Sequence, residues 1–305
     1  MRVGITDQHK LVSDAAKELA AKADVVIIAA GFDNDSEGEG GDRPFSLPFG
    51  QDELIRELSA VNKNTIVALT SGGGVDVSAW IDRVRGLIEM WYPGEQGGTA
   101  LAEILFGVVN PSGHLPATFE KRWQDNPAYA NYYPEAGTVR VHYNEGIFVG
   151  YRGYEHNNVQ PRFPFGFGLS YTTFKFGDLS VAPASSSALA PSGRPALYTV
   201  SLDVTNTGSR TGADVAQLYV AEAAPKVPRP AKELKGFARV ELAPGETKHV
   251  TLSLDSRAFA FYDVAAKHWQ ADSGAYTIKV GDSSVDTPLS AGMTLPSLIS
   301  IANDK

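Results

Sequence analysis

An α/β domain built on a mostly parallel sheet, followed by an all-β sandwich, is the fold class that the sequence predicts. Three observations carry it. From residue 8 to Phe119, segments with apolar residues at helical spacing alternate with short continuous apolar runs, joined by short connections. That alternation is the signature of a parallel sheet flanked by helices. Residues 123–172 then become rich in Tyr, Pro, Gly and Asn and lose periodicity. From Phe174 onward, apolar and polar residues alternate in short runs separated by turn signals, the pattern of half-buried antiparallel strands.

Along the chain, Leu11, Val12, Ala15, Ala16, Leu19 and Ala20 share one face of a helix over residues 8–22. Val25-Val26-Ile27-Ile28-Ala29-Ala30 is too short for a helix and reads as a fully buried strand. An acidic, glycine-rich loop follows, and Leu54, Ile55, Leu58 and Val61 then mark a helix over 51–61. Residues 65–70 are a second buried strand, closed by Ser71-Gly72-Gly73-Gly74. The pattern predicts a short helix over 77–85, a strand over 86–91 and a helix over 97–106, with 113–119 ending the series. The aromatic stretch at 123–172 reads as an ordered excursion wrapping a surface, because its rings and prolines are too frequent for a flexible linker. Runs at 197–206, 215–222, 248–254 and 275–281 are strands, with turns at Asn206-Thr207-Gly208, Pro244-Gly245 and Asp272-Ser273-Gly274. Strands of this length and spacing predict an immunoglobulin-like or fibronectin type III-like sandwich. The expected divisions are 1–122 for the α/β domain, 123–172 for the wrapping segment and 173–305 for the sandwich.

Composition narrows the chemistry. A net charge of −8 over 305 residues argues against a nucleic-acid partner held by a basic field. No apolar run approaches the length of a membrane span, and the first residues lack the apolar core of a signal peptide. With no cysteine there is no thiolate nucleophile and no disulfide. The six histidines are scattered, and neither a G-x-S-x-G elbow nor an H-E-x-x-H pair is present.

The stretch Asp33-Asn34-Asp35-Ser36-Glu37-Gly38-Glu39-Gly40-Gly41-Asp42-Arg43 stands where a parallel strand delivers its loop, the place where open α/β sheets put ligands. One reading is a solvated polar turn. A calcium loop fails at its twelfth position, which is Pro44 where a bidentate Glu is required. A phosphate loop fails because Gly72-Gly73-Gly74 lacks the Lys-Ser/Thr of a P-loop. No metal is expected. Carboxylate chemistry remains: a Glu on a glycine-flanked loop beside Asp and Arg can serve as a general acid/base, with Asp42 and Arg43 pairing to lock the loop.

The motifs then identify a family. Glu37-Gly38-Glu39-Gly40-Gly41-Asp42-Arg43 with Leu47-Pro48-Phe49-Gly50-Gln51, Trp91-Tyr92-Pro93-Gly94-Glu95-Gln96-Gly97-Gly98 and Asn110-Pro111-Ser112-Gly113-His114-Leu115-Pro116 resembles the second domain of family 3 glycoside hydrolases. Tyr143-Asn144-Glu145-Gly146, Val149-Gly150-Tyr151-Arg152 and Phe163-Pro164-Phe165-Gly166-Phe167-Gly168-Leu169-Ser170-Tyr171 continue it in order. Val204-Thr205-Asn206-Thr207-Gly208 and Arg229-Pro230-Ala231-Lys232-Glu233-Leu234-Lys235-Gly236 resemble the fibronectin type III-like domain that ends many β-glucosidases of that family. The resemblance implies a three-layer α/β sandwich and a retaining mechanism without a cofactor, acting on an oligosaccharide or β-glucoside. It assigns the general acid/base to Glu39, with Glu37 as rival and Asp42 and Arg43 in support.

The family's nucleophile is an Asp on a preceding (β/α)8 barrel of about 250 residues. Such a barrel has no counterpart here, and the α/β domain looks truncated at its opening strand. The expectation is therefore the C-terminal part of a β-glucosidase-like enzyme, inactive alone, which needs a barrel domain or chain as partner and is prone to self-association. The alternative is a non-catalytic module for carbohydrate binding or assembly. The family is often secreted or periplasmic, which leaves the compartment open.

Overall fold

A computed structural model describes residues 11–302; residues 8–10 of the helix expected over 8–22 lie outside that range, and residues 11–13 precede the helix. The chain forms two compact units. The first holds the residues up to Val109 together with Phe119–Asp125, and the second holds Asn110–Thr118 and the residues from Asn126 onward.

In the first unit, helix α1 (Asp14–Lys22) starts at Ser13, whose side chain accepts from the Ala16 amide, and ends with Lys22 in its last turn. Strand β1 (Val26–Gly31), helix α2 (Gln51–Val61), strand β2 (Thr65–Thr70), strand β3 (Gly86–Glu89) and helix α3 (Gly97–Leu105) follow. The strands form a parallel sheet in the order β1-β2-β3. Ile28 pairs with Val67, and Val67 with Leu87. The middle strand is the most apolar and the most buried: Val67, Ala68 and Leu69 are nearly inaccessible, and Ile55 and Leu58 of α2 are buried as well. Asn62, which ends α2, donates to the carbonyls of Ala20 (2.9 Å) and Ala23 (2.7 Å), and so locks the end of α1 to the end of α2.

Three expectations shift. Residues 77–85 do not make a helix of useful length; a turn leads into a short 3-10 segment at Ile81–Arg83. The buried Trp80 is pinned by its indole N–H to Asp52 Oδ1 (2.7 Å), and the Arg85 amide must reach the Thr65 carbonyl (2.7 Å) to bring Gly86 beside Ile66. A longer helix would overrun that register. Strand β3 stops at Glu89 rather than 91, because Trp91 has φ 52, outside the extended region. Residues 113–118 belong to the second unit, where Leu115 exchanges backbone hydrogen bonds with Gly166 and Phe167.

The second unit contains one helix of the aromatic excursion, α4 (Tyr151–His156). Its strands are β4 (Phe174–Pro183), β5 (Ala196–Asn206), β6 (Gly212–Glu222), β7 (Glu233–Leu242), β8 (Thr247–Asp255), β9 (Phe261–Asp263), β10 (His268–Ala271), β11 (Gly274–Gly281), β12 (Leu289–Leu295) and β13 (Ile299–Ile301). A four-stranded sheet, β12-β11-β6-β7, and a three-stranded sheet, β4-β5-β8, are antiparallel and enclose one core; β13-β10-β9 is a small third sheet. Alternate residues of each strand point inward: Val200, Leu202 and Val204 from β5, Leu218 and Val220 from β6, Ile278 and Val280 from β11. The Asn206-Thr207-Gly208 turn is saturated. Asn206 donates to the carbonyls of Arg210 and Leu242 and accepts from Thr172 and Gly208. A cavity of about 250 Å³ in this unit has Tyr151, Tyr154, Asn158 and Gln160 in its wall, and its two charges, Glu155 and Lys232, already neutralise each other at 2.5 Å.

Candidate functional site

The carboxyl ends of the three parallel strands deliver three loops to one place. The loop after β1 carries the acids, the loop after β2 is Ser71-Gly72-Gly73-Gly74, and the loop after β3 carries Trp91 and Tyr92. Gly31, the last residue of β1, has φ 134, and a Cβ there would stand 2.0 Å from the Thr70 carbonyl oxygen. Only glycine lets the two strand ends close up at this point. The acidic loop opens as a tight turn: Asp33 Oδ1 accepts from the amides of Asp35 (3.2 Å) and Ser36 (3.1 Å) and from the Ser36 hydroxyl (2.8 Å). The Ser36 hydroxyl, chiefly, holds the Asp33 carboxyl below its usual range. This acid builds the turn.

Glu37 joins all three loops. Its Oε2 accepts from the Tyr92 hydroxyl (2.6 Å) and the Gly72 amide (3.2 Å), and its Oε1 faces Arg43 Nε (3.1 Å). Arg43 continues the network by donating to the carbonyls of Gly74 (2.9 Å) and Pro44 (3.2 Å), with its guanidinium 4.7 Å from the Phe32 ring centre. Burial alone would raise the Glu37 carboxyl. The hydrogen bonds from Tyr92 and Gly72 and the charge of Arg43 outweigh it and hold the group below the usual glutamate range. Burial and the bond to Glu37 push the Tyr92 phenol up to about 12, so it stays a donor. A Cβ on Gly72 would lie 2.4 Å from Glu37 Oε1, so the glycine makes room for the carboxylate. An ionised carboxylate engaged by three donors has no proton to give.

Glu39 and Asp42 are exposed on the same loop. Among the described residues Glu39 makes no hydrogen bond or ion pair, and nothing there buries it.

Sequence reasoning overlooked two members of the site, Tyr92 and Glu89. Glu89 is the last residue of β3; its Oε1 accepts from the Trp91 amide (2.8 Å) and its Oε2 lies 3.1 Å from Ser71 Oγ. Burial pushes its carboxyl up to about 7 against the opposing pull of those two contacts and of Arg43. The signal that could have found it is a lone acid ending an apolar strand, Gly86-Leu87-Ile88-Glu89.

The Glu37 network gives a pH prediction. A carboxyl whose folded pKa lies below its unfolded one stabilises the fold above the ordinary glutamate range and loses that contribution as pH falls through the folded value. Glu37→Gln is expected to be less stable than the parent at pH 6, with the gap closing below about pH 4. Urea midpoints measured across that range check it; a gap independent of pH would refute it.

Comparison with known proteins places this geometry. Residues 4–171 match the glycosyl hydrolase family 3 C-terminal domain, and residues 214–284 match the fibronectin type III-like domain. The chain is 42% identical over 294 residues to thermostable β-glucosidase B of Acetivibrio thermocellus, covering 96% of this chain and 38% of that protein. It is 43% identical to a β-glucosidase of Rhizobium radiobacter, with 92% and 34% covered. Among solved structures, the family 3 β-glucosidase of Bifidobacterium adolescentis superposes with a TM-score of 0.87 at 38% identity over 96% of this chain and 42% of that one. The β-glucosidase of Kluyveromyces marxianus in complex with glucose superposes with a TM-score of 0.88 at 36% identity, over 98% and 34%. The chain thus spans well under half the length of these relatives. With the family's C-terminal domain matched over more than half of the chain and relatives aligned over nearly its whole length, it belongs to glycosyl hydrolase family 3, as a chain corresponding to the C-terminal part of its β-glucosidase-like members.

Proposed function

We propose that this chain supplies the general acid/base of a retaining β-glucosidase-like enzyme acting on terminal β-D-glucosyl residues, and that Glu39 is that group. The observation that carries the reading is the contrast between two acids on one loop. Glu37 is held ionised by Tyr92, Gly72 and Arg43, whereas Glu39 stands free at the carboxyl ends of the parallel strands. In a retaining reaction one carboxylate attacks the anomeric carbon while the second protonates the departing oxygen and later deprotonates water. Arg43 and Glu37 hold the loop that presents Glu39, and the nucleophile comes from a barrel domain that covers this face. That cover also takes Glu39 out of water and brings a second carboxylate near it, the pairing that retaining chemistry needs.

The test is hydrolysis of an aryl β-glucoside. The chain alone is expected to be silent and to gain activity when a barrel-bearing fragment of a family member is added. A barrel fragment that binds without hydrolysis would overturn the reading and leave a non-catalytic role in carbohydrate binding or assembly.

Self-association belongs to the same reading. Among the described residues β1 is an edge strand, and Ile27 within it and Val25 just before it are about half exposed. An open edge next to apolar side chains pairs readily with another chain. Light scattering is expected to give a mass above that of one chain, falling when a barrel fragment is added. A clean monomer at tens of micromolar would count against it.

A further inference from the structure

We propose that Glu89 is a positioning residue that, in its protonated form, acts as hydrogen donor to Ser71 and fixes the 71–74 loop on which Glu37 and Arg43 rest. The argument is a count of hydrogens. Ser71 Oγ lies 2.9 Å from the Gly73 carbonyl oxygen and 3.1 Å from Glu89 Oε2. A serine hydroxyl carries one hydrogen, and a carbonyl can only accept. If Ser71 gives its hydrogen to Gly73, the contact with Glu89 is a hydrogen bond only when Glu89 brings the proton. Glu89 Oε1 is already taken by the Trp91 amide at 2.8 Å, which leaves Oε2, the oxygen facing Ser71, as the place for it. The chain then runs one way, from Glu89 Oε2–H to Ser71 Oγ–H to the Gly73 carbonyl.

The surroundings agree. Burial is the largest influence on this carboxyl and favours its neutral form; the Trp91 amide, the Ser71 hydroxyl and amide, and the Arg43 cation pull the other way without prevailing. Other titratable groups around the 71–74 loop, among the described residues, include Glu37, Tyr92 and Glu120, whose Oε2 would lie 3.0 Å from a Cβ on Gly74. Trp91, whose amide Glu89 holds, has φ 52. A bulky residue keeps such a conformation only when its neighbours over-determine it.

The consequence reaches the acidic loop directly. Gly72 N–H holds Glu37 Oε2, and the Gly74 carbonyl holds Arg43. Ionised Glu89 would draw the Ser71 hydrogen to itself and release the Gly73 carbonyl, loosening the segment that carries both contacts. The proposal rests on this chain's own geometry and is read without a glycosidase assay, so it can fail while the assignment of Glu39 stands, and the reverse.

The experiment is an NMR titration of the ¹³C,¹⁵N-labelled chain between pH 5 and 9. The Glu89 side-chain carboxyl, assigned by through-bond correlation, is expected to titrate with a midpoint near neutrality, and the Gly72 amide is expected to shift with the same midpoint. Glu89→Gln places an amide hydrogen where the proton sits, so the Gly72 signal should stay at its low-pH position throughout. Unfolding gives a second reading. A carboxyl raised in the folded state stabilises below the ordinary glutamate range and loses that contribution as pH rises through about 7. The folding constant of the parent should therefore fall, relative to Glu89→Gln, by up to about tenfold per pH unit between about pH 5 and 7. A Glu89 carboxyl titrating near pH 4 to 5, or a Gly72 shift with the same midpoint in the Gln variant, would overturn the proposal.

Discussion

Replacing Glu39 with Gln is expected to lower turnover of the barrel-completed enzyme by about 10²- to 10⁴-fold on a glucoside with a poor leaving group. Gln fills nearly the same space but has no acidic proton for the departing oxygen and cannot deprotonate water. The loss should shrink for a leaving group that departs without protonation, because the acid step then carries less of the barrier while the base step still fails. Glu37→Gln serves as the comparison. Its carboxylate is tied to Tyr92, Gly72 and Arg43, so its loss should act through loop geometry and weaken both leaving-group classes alike. Initial rates on the two substrates separate the cases. Equal losses on both substrates for Glu39→Gln would remove it from the acid role.

Phe259→Ala is expected to destabilise the second unit by about 3–5 kcal/mol, the range for emptying the site of a fully buried aromatic ring. Phe259 is 0% exposed and lies in the sandwich core. It meets Tyr276 and Tyr198 edge-on, with ring centres 5.3 and 5.8 Å away, an arrangement that adds to the area buried. The three rings come from separate parts of the chain, so the hole cannot close by a local shift. Phe237→Ala provides the contrast. That ring is 67% exposed on β7, and its loss should change stability by only about 0.5 kcal/mol. Urea unfolding followed by near-ultraviolet circular dichroism measures both. Similar midpoints for the two variants would contradict the packing described.

Much of this architecture was legible because its signals are local. The helical stripe from Gln51 to Val61 and the alternation in β5, β6, β8 and β11 follow from side-chain period alone; the apolar run before Gly31 is a strand, but not the fully buried one expected, since Ile27 and Ala29 are exposed. What failed to show depended on partners distant in sequence. The helix expected over 77–85 gives way because Asp52 claims Trp80 and Thr65 claims Arg85. Strand β4 escaped separate notice because its register shifts between Gly177 and Ser180, which breaks a strict alternation. At the site, the position of the acidic loop after a strand and its family motif were readable. The division of labour among its acids was not. Asp33 builds a turn, Glu37 ties three loops, Glu39 stands clear, and Glu89 arrives from another strand. Each role is set by contacts that no spacing encodes.

Gln51, the first residue of α2, bears on β1, the edge strand of the parallel sheet among the described residues. Its side-chain amide accepts from the Gly31 N–H at 2.7 Å and donates to the Gly31 carbonyl at 2.9 Å, reproducing one rung of a neighbouring strand with a single side chain. In a parallel strand, alternate residues turn their hydrogen-bonding groups outward. The amides of Val26 and Phe32 face β2, so the outward rungs of β1 are Ile27, Ala29 and Gly31, and the last of these is already filled. A chain adding to this edge can zip along Ile27 and Ala29 and must then stop short of the acidic loop. Gln51 thus fills the last outward rung of β1, so a chain pairing along this strand would end short of the acidic loop.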